Sequence, residues 1–181
     1  MSLRRPNYYL CQFAAQKISD SFVRGNILIL GGDTGKNAAF LYETLLVPWN
    51  DPKLKIYVID DFADKYGVQR REIFNETTKY FQNQVVVYNR DQFYYVANLP
   101  YILVIFSDPY PAPLAFGFAN DLWDNLTPGG YYFFLNYNDG DSMYSLDFNS
   151  HPKAGIDRFL RYAIAESSDF GTQPYPYIRK A

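Results

Sequence analysis

The sequence predicts an α/β fold built on one doubly wound, mostly parallel sheet with helices on both faces. Two observations carry that expectation. Five short runs rich in β-branched and aromatic residues (Asn26–Leu30, 55–60, Val85–Tyr88, 102–107 and 131–136) are apolar almost throughout, as parallel strands covered on both faces must be. The segments between them are longer and carry helical spacing, and alternation of strand with helix is the pattern of parallel strands joined by crossovers. A chain of 181 residues is long enough for one domain with a sizeable core. We divide it into a helical segment over 1–24 and a sheet core over 25–181.

Each element has its own justification. An opening helix is expected over 8–23, ahead of the first strand. Ile73, Phe74, Thr77 and Phe81 share a helical face between the second and third strands. Ala115, Phe118, Ala119, Leu122, Trp123 and Leu126 form one continuous apolar stripe at helical spacing. Thr127-Pro128-Gly129-Gly130 then breaks that helix and turns the chain into the fifth strand. Ile156, Phe159, Leu160, Ala163 and Ile164 repeat the spacing. The tail over 174–180 is expected as a last strand at a sheet edge, where its prolines cost no ladder bonds.

Composition narrows the function. The net charge is -2 and no run of Lys or Arg exceeds two, so an extended nucleic-acid surface is not expected. The 18 tyrosines are scattered and not interleaved with basic residues, which reads as a compositional bias rather than a base-stacking surface. One cysteine, Cys11, excludes an internal disulfide and a cysteine zinc site, and its apolar surroundings read as core. The one histidine, His151, lies in the polar stretch Asn149-Ser150-His151-Pro152 and reads as a solvated loop residue. No secretory apolar segment follows Arg4-Arg5, and no apolar string is long enough to span a bilayer. The expected location is cytoplasmic, with no membrane partner.

In such a sheet, ligands bind beyond the carboxyl ends of the strands, where strand order reverses. The loop after the first strand, Gly31-Gly32-Asp33-Thr34-Gly35-Lys36-Asn37, holds three glycines. A phosphate-binding P-loop needs four residues between its glycines and Ser or Thr after the lysine; here three intervene and Asn37 follows. The dinucleotide pattern G-x-G-x-x-G is also absent, and Asp33 would set a negative charge against a pyrophosphate. A cationic cofactor suits an acidic loop better. At the end of the second strand, Asp60 is placed to accept ribose hydroxyls, and Asp61 to cap the next helix.

Taken in order, these pieces resemble a class I, S-adenosylmethionine-dependent methyltransferase. They are most like the small-molecule O-methyltransferases of the macrocin and catechol/caffeoyl-CoA type, over about 25–180. The motifs are Gly31-Gly32-Asp33-Thr34-Gly35 for G-x-x-T-G and Val58-Ile59-Asp60 for V-x-D. Arg90-Asp91-Gln92 stands for the third-strand acidic turn, Ile105-Phe106-Ser107-Asp108 for I-F-x-D, and Leu126-Thr127-Pro128-Gly129-Gly130 for the turn before the fifth strand. The resemblance implies a Rossmann-like core, S-adenosylmethionine as cofactor and O-methylation of a small molecule. It implies that Gly31, Gly32, Asp33, Thr34 and Gly35 face the methionine moiety, Asp60 the ribose, and Asp91 or Gln92 the adenine. Asp108 is implied as base or orienting group, with Asn136 and Tyr137 positioning the acceptor.

The departures bear on mechanism. Ile29 stands where the family usually has an acidic residue, and Pro109-Tyr110-Pro111 replaces small polar residues after Asp108. Cation-dependent members pair that aspartate with an acidic or amide pair after the fifth strand; here the pair is Leu135-Asn136, so no metal is expected. Asp139 and Asp141 are the nearby carboxylates able to replace the missing ligand. The tail after Ala165 is short for the family's closing strand pair, so an abbreviated pair is expected. Two other readings stand beside the enzyme: a degenerate methyltransferase fold that binds without catalysis, and a nicotinamide-binding Rossmann domain.

Overall fold

The computed structural model describes residues 8–63, 66–108, 110–135, 137, 151–172 and 175–181. Helix α1 (Tyr8–Ser21) precedes strand β1 (Asn26–Leu30), and one helical run follows it as α2 (Lys36–Leu41), a wider turn of π type (Tyr42–Leu46) and α3 (Val47–Trp49). Then come β2 (Ile56–Ile59), α4 (Gly67–Thr78), β3 (Val85–Tyr88), the short α5 (Phe93–Ala97) and β4 (Tyr101–Phe106). The chain continues through α6 (Ala112–Trp123), β5 (Leu126–Phe134), α7 (Pro152–Ala163), β6 (Ser167–Gly171) and β7 (Tyr177–Lys180). The sheet order is β3-β2-β1-β4-β5-β7-β6, with β1 to β5 parallel and β7 antiparallel to both of its neighbours.

Alternation along the central strands sends their side chains to two separate cores. Ile27, Ile29, Leu103, Ile105 and Phe133 pack with Cys11, Ala14 and Ile18 of α1, Leu41 of α2 and Phe74 of α4. Leu28, Leu30, Val104, Phe106, Tyr132 and Phe134 pack against Phe118 and Leu122 of α6 and Phe159 of α7. Near-continuous apolar runs are therefore required, because each strand serves both faces. Cys11 is fully buried, and burial pushes its thiol up to about 12, which leaves it inert as a nucleophile.

Several expectations need correction. The fifth strand starts at Leu126, not Tyr131: Leu126 pairs with Tyr101, and the register shifts before Leu103 pairs with Tyr131. Thr127 to Gly130 are thus taken into the strand, with Gly129 at φ +83, instead of forming a free turn. The last strand is not at the edge; β7 inserts between β5 and β6, and Pro176 meets the sheet through its carbonyl, which accepts from Phe134. Both closing strands are present though short, and Lys17 of α1 ties them down by donating to Asp169 at 3.0 Å and Tyr177 at 3.3 Å. The opening helix ends at Ser21, ahead of Phe22 at φ +57. His151 is buried, not solvated: its Nδ1 accepts from the backbone amide of Lys153 and caps α7. Helix α5 lies in the crossover segment between the third and fourth strands and is too short to give a periodic signal of its own.

The α6–α7 packing generates a paired prediction. A Cβ on Gly155 would lie 2.1 Å from the carbonyl oxygen of Ala112, whereas a Cβ on Gly117 meets nothing within 4 Å. Gly117→Ala should therefore stabilise the protein by about 0.5–1 kcal/mol, the usual gain in a helix interior. Gly155→Ala should destabilise it by roughly 1–3 kcal/mol, since a backbone must move to admit the methyl. Thermal or urea melts of the two variants read the signs, and a stabilising Gly155→Ala would refute the close approach.

Candidate functional site

Strand order reverses between β1 and β4, so the ligand crevice of a doubly wound sheet is expected beyond the carboxyl ends of those strands. The glycine loop forms one wall. Gly31 leaves β1 at φ +110, its amide donating to Ile59 of β2, and the loop closes through the Gly35 amide donating to Gly32. Gly35 at φ +79 then starts α2. Asp33, at φ +45, is a rarer occupant of the left-handed region, and Thr34 is buried.

Asp60 organises that loop. Its Oδ2 accepts from the amides of Gly32 at 2.8 Å and Asp33 at 3.1 Å, while Oδ1 accepts from Phe62 at 2.7 Å. The side chain is 4% exposed, and the Arg70 guanidinium of α4 lies 3.9 Å from it and 3.6 Å from Asp33. Asp61 does not cap the following helix, as its position had suggested. Its Oδ1 accepts from the Arg90 amide at 2.6 Å and its Oδ2 pairs with the Arg90 guanidinium at 3.1 Å. The two adjacent aspartates thus reach opposite ways, one to the β1 loop and one to the β3 turn.

That turn, Arg90–Gln92, is a single 3₁₀ turn closed by a reciprocal cap between Asn89 and Gln92. The Gln92 carbonyl oxygen is spent on the Asn89 amide, and Asp91 is exposed. Across the crevice, Ser107 and Asp108 leave β4 with both amides donating to Leu30 of β1. Asp108 is pressed onto the glycine loop: a Cβ on Gly31 would fall 2.5 Å from its Cγ. Tyr110 is buried against Phe118, ring centroids 5.2 Å apart. Burial, then the charges of Asp108, Asp60 and Asp61, raise its phenol well above the tyrosine range, with Arg90 opposing.

The β5 side is held differently. Leu135 is buried in the α1-side core, and its amide donates to Phe106. The Tyr137 hydroxyl donates to Asp157 of α7 at 2.7 Å and accepts from Lys153, which in turn pairs with Asp157 at 2.7 Å. Burial, then the hydrogen bond to Asp157, raise the Tyr137 phenol despite Lys153, in keeping with its donation to Asp157. Asn136, Asp139 and Asp141 lie outside the described residues. The structure therefore brings together Gly31, Gly32, Asp33, Thr34, Gly35, Asp60 and Asp108, with Asp91 and Gln92 on the flanking turn and Tyr137 on the far rim. Sequence reasoning passed over Arg70 and gave Arg90, although part of the third-strand motif, no role of its own, yet both pair with these carboxylates; Arg70 had a usable signal, lying one helical turn before Phe74.

Ser107 Oγ at the end of β4 and Asn37 Oδ1 in the first turn of α2 are buried and have no hydrogen-bond partner among the described residues. Among the described residues, no three His, Cys, Asp or Glu side chains group as metal ligands, and no helix is long and apolar enough to cross a membrane.

The fold is shared with solved methyltransferases. An O-methyltransferase from Bacillus cereus in complex with SAH matches with a TM-score of 0.68 at 15% identity, over 99% of this chain and 84% of that one. The O-methyltransferase TomG from Streptomyces achromogenes, involved in tomaymycin synthesis and solved with SAM, gives 0.66 at 13% identity, over 98% and 82%. SAH-bound PaMTH1, a methyltransferase of Podospora anserina, gives 0.64 at 15% identity, over 98% and 83%. No protein-family model matches the chain, and no curated protein matches it in sequence.

The tight approach of Asp108 to the loop yields a test. Gly31→Ala combines a left-handed φ with a methyl 2.5 Å from Asp108 Cγ and 2.8 Å from its amide nitrogen. It should cost about 2–4 kcal/mol, summing the strain of a Cβ at positive φ with overpacking. A melt within about 0.5 kcal/mol of wild type, the range of an ordinary surface change, would show that the loop and Asp108 are not in contact.

Proposed function

We propose that the chain is an S-adenosylmethionine-dependent methyltransferase that acts on an oxygen of a small-molecule acceptor. The observation that carries the reading is the charge at the glycine loop: the carboxylates of Asp33, Asp60 and Asp108 stand there against the guanidinium of Arg70, while Asp61 and Arg90 pair on the neighbouring β3 turn. An excess of carboxylate favours a ligand bearing a sulfonium and an ammonium and disfavours a pyrophosphate. The likeness of fold to proteins solved with SAH and SAM supports the same cofactor.

The residues present suit it. Ser107 Oγ and Asn37 Oδ1 are buried with no hydrogen-bond partner among the described residues, a state that a polar ligand would relieve. Gly31, Gly32, Asp33, Thr34 and Gly35 are proposed to hold the methionine moiety. Asp60 stands at the ribose, and Asp91 or Gln92 at the adenine. When bound, S-adenosylmethionine supplies an activated methyl group, which the acceptor oxygen takes with loss of its proton. Asp108, at the junction of β1 and β4, is the proposed base or orienting group. Tyr137, a committed donor, anchors the acceptor rim to α7, with Asn136 proposed beside it. The protein's share of catalysis is alignment and exclusion of water. The reading places it in the cytoplasm, acting on a small molecule without a membrane or nucleic-acid partner.

A second reading, a binding protein of this fold without catalysis, is favoured by one observation: the Tyr137 hydroxyl is already bound by Lys153 and Asp157, leaving Asp108 as the sole described base candidate on the acceptor side. Cofactor binding without methyl transfer to any of a broad set of hydroxylated acceptors would select it.

Two measurements test the proposal. S-Adenosylmethionine or S-adenosylhomocysteine should raise the melting temperature, by an amount equivalent to about 2.7 kcal/mol at a hundredfold excess over the dissociation constant. Absence of both a thermal shift and a calorimetric signal at millimolar ligand would sink the cofactor assignment. Methyl transfer should also proceed in EDTA at the rate seen with added Mg²⁺ or Mn²⁺, because Leu135 offers no lone pair and lies buried in apolar core. Activity abolished by chelator and restored by metal would overturn that expectation and point to Asp139 or Asp141.

A further inference from the structure

The carboxylate of Asp60 is already heavily engaged without any ligand. Three backbone amides converge on it, two at Oδ2 and one at Oδ1, and its side chain is almost wholly buried. Gly32 and Asp33 belong to the loop between β1 and α2, where neither sheet nor helix supplies an acceptor for their amides. Phe62 lies two residues beyond Asp60 itself, so the same side chain also shapes the exit from β2. Asp61 repeats the device on the other side, taking the Arg90 amide and guanidinium.

We propose that Asp60 and Asp61 form a double clamp that sets the floor of the crevice, with Asp60 a positioning residue that acts on the cofactor chiefly through the glycine loop. The inference rests on the cofactor reading above, but the clamp itself is a property of the ligand-free protein. A carboxylate that accepts from three N–H groups offers only acceptor sites, and that is what the loop needs. A ribose hydroxyl is less demanding, because it both donates and accepts. The two roles therefore diverge in one substitution. In Asp60→Asn, whichever way the side chain turns, its NH₂ faces at least one amide donor; a hydroxyl partner would simply reverse its bond.

The experiment uses the full chain, with amide exchange followed by NMR, melting temperature, and S-adenosylhomocysteine affinity by calorimetry at a temperature where every variant is folded. In ligand-free Asp60→Asn, the amides of Gly32, Asp33 and Phe62 should exchange on the order of tenfold faster or more, as local opening becomes easier. The melting temperature should fall by roughly 5–10 °C, the loss expected for charge-assisted bonds in a chain of this size. S-Adenosylhomocysteine affinity should fall at least about tenfold, the consequence of a loop no longer pre-organised. Asp61→Asn should speed exchange at Arg90 and leave Gly32 and Asp33 as they were. Trp123→Phe is the control for stability alone: it removes the indole bond to Glu166 at the far end of α6, and should lower the melting temperature without changing the loop amides or the affinity.

Wild-type exchange at Gly32 and Asp33 in Asp60→Asn overturns the clamp, whatever happens to affinity; a drop in affinity with those amides unchanged would assign Asp60 to direct contact. If wild-type protein fails to bind S-adenosylhomocysteine, the cofactor reading falls, and the exchange pattern alone still decides whether the clamp exists.

Discussion

Gly32 and Asp33 carry two amide hydrogens at the point where the chain has left β1 and not yet entered α2, and the Asp60 carboxylate takes both. The rest of the site depends on that interaction. It is available because β1 and β2 are parallel neighbours in register, Leu30 opposite Ile59, so the first residue beyond β2 lies beside the first glycines beyond β1. With the loop held there, Gly31 faces β4 and lets Asp108 press against its backbone. The proposed base is itself tied to β1, its amide donating to Leu30, so the Asp60-held loop and Asp108 meet at the end of one strand. Burial of that carboxylate is tolerable because each oxygen has hydrogen-bond donors and Arg70 lies close by.

The strands that build this geometry were legible because a parallel sheet coated on both faces leaves a strong compositional trace. Asn26–Leu30 and Val85–Tyr88 stand where their apolar runs lie, β2 and β4 differ from theirs by one residue at each end, and β5 starts five residues early and ends two early. What escaped was decided by pairing partners remote in sequence. Leu126 reads as the end of a helix on spacing alone, and only Tyr101 opposite draws it into β5. The tail reads as an edge strand on its prolines, yet β7 lies inside β6 because Tyr131, Tyr132 and Phe133 accept it as a partner. His151 looks solvated by its polar neighbours, whereas the proline-led helix after it needs a cap.

The site shows the same division. The residue types that carry the chemistry, glycines after β1 and acids after β2 and β4, stand in the local sequence, since strand ends define where a ligand can bind. Their partners do not. Nothing in Asp60-Asp61 says which aspartate reaches which loop; the alternation of side chains at a strand end decides it, and it sends one toward Gly32 and the other toward Arg90. Tyr110 is similarly unreadable, because its burial comes from Phe118 of α6 and its surroundings from three separate strand ends.

The two halves of the crevice are built by different physics, and this bears on how the proposed reaction would run. On the β1–β2–β3 side, loops are fixed by charge-assisted bonds to backbone amides, an arrangement stiff enough to bind a flexible cofactor in one pose. On the β4–β5 side, Leu135 sits in apolar core and Tyr137 is locked by Lys153 and Asp157, so among the described residues polar groups there are few and mostly committed. In the proposed reaction an acceptor on that side would meet Asp108 as its principal charged neighbour among the described residues. A methyl transfer to oxygen asks for little more than this: a proton acceptor at the reacting hydroxyl, a dry surface around it and a donor held in line. A hard cation asks for several oxygen ligands at once, and an apolar residue at the end of β5 withholds one of them. Alignment is therefore the protein's main share of the proposed reaction, with the carboxylates of the described residues concentrated on the half of the crevice proposed to bind the cofactor.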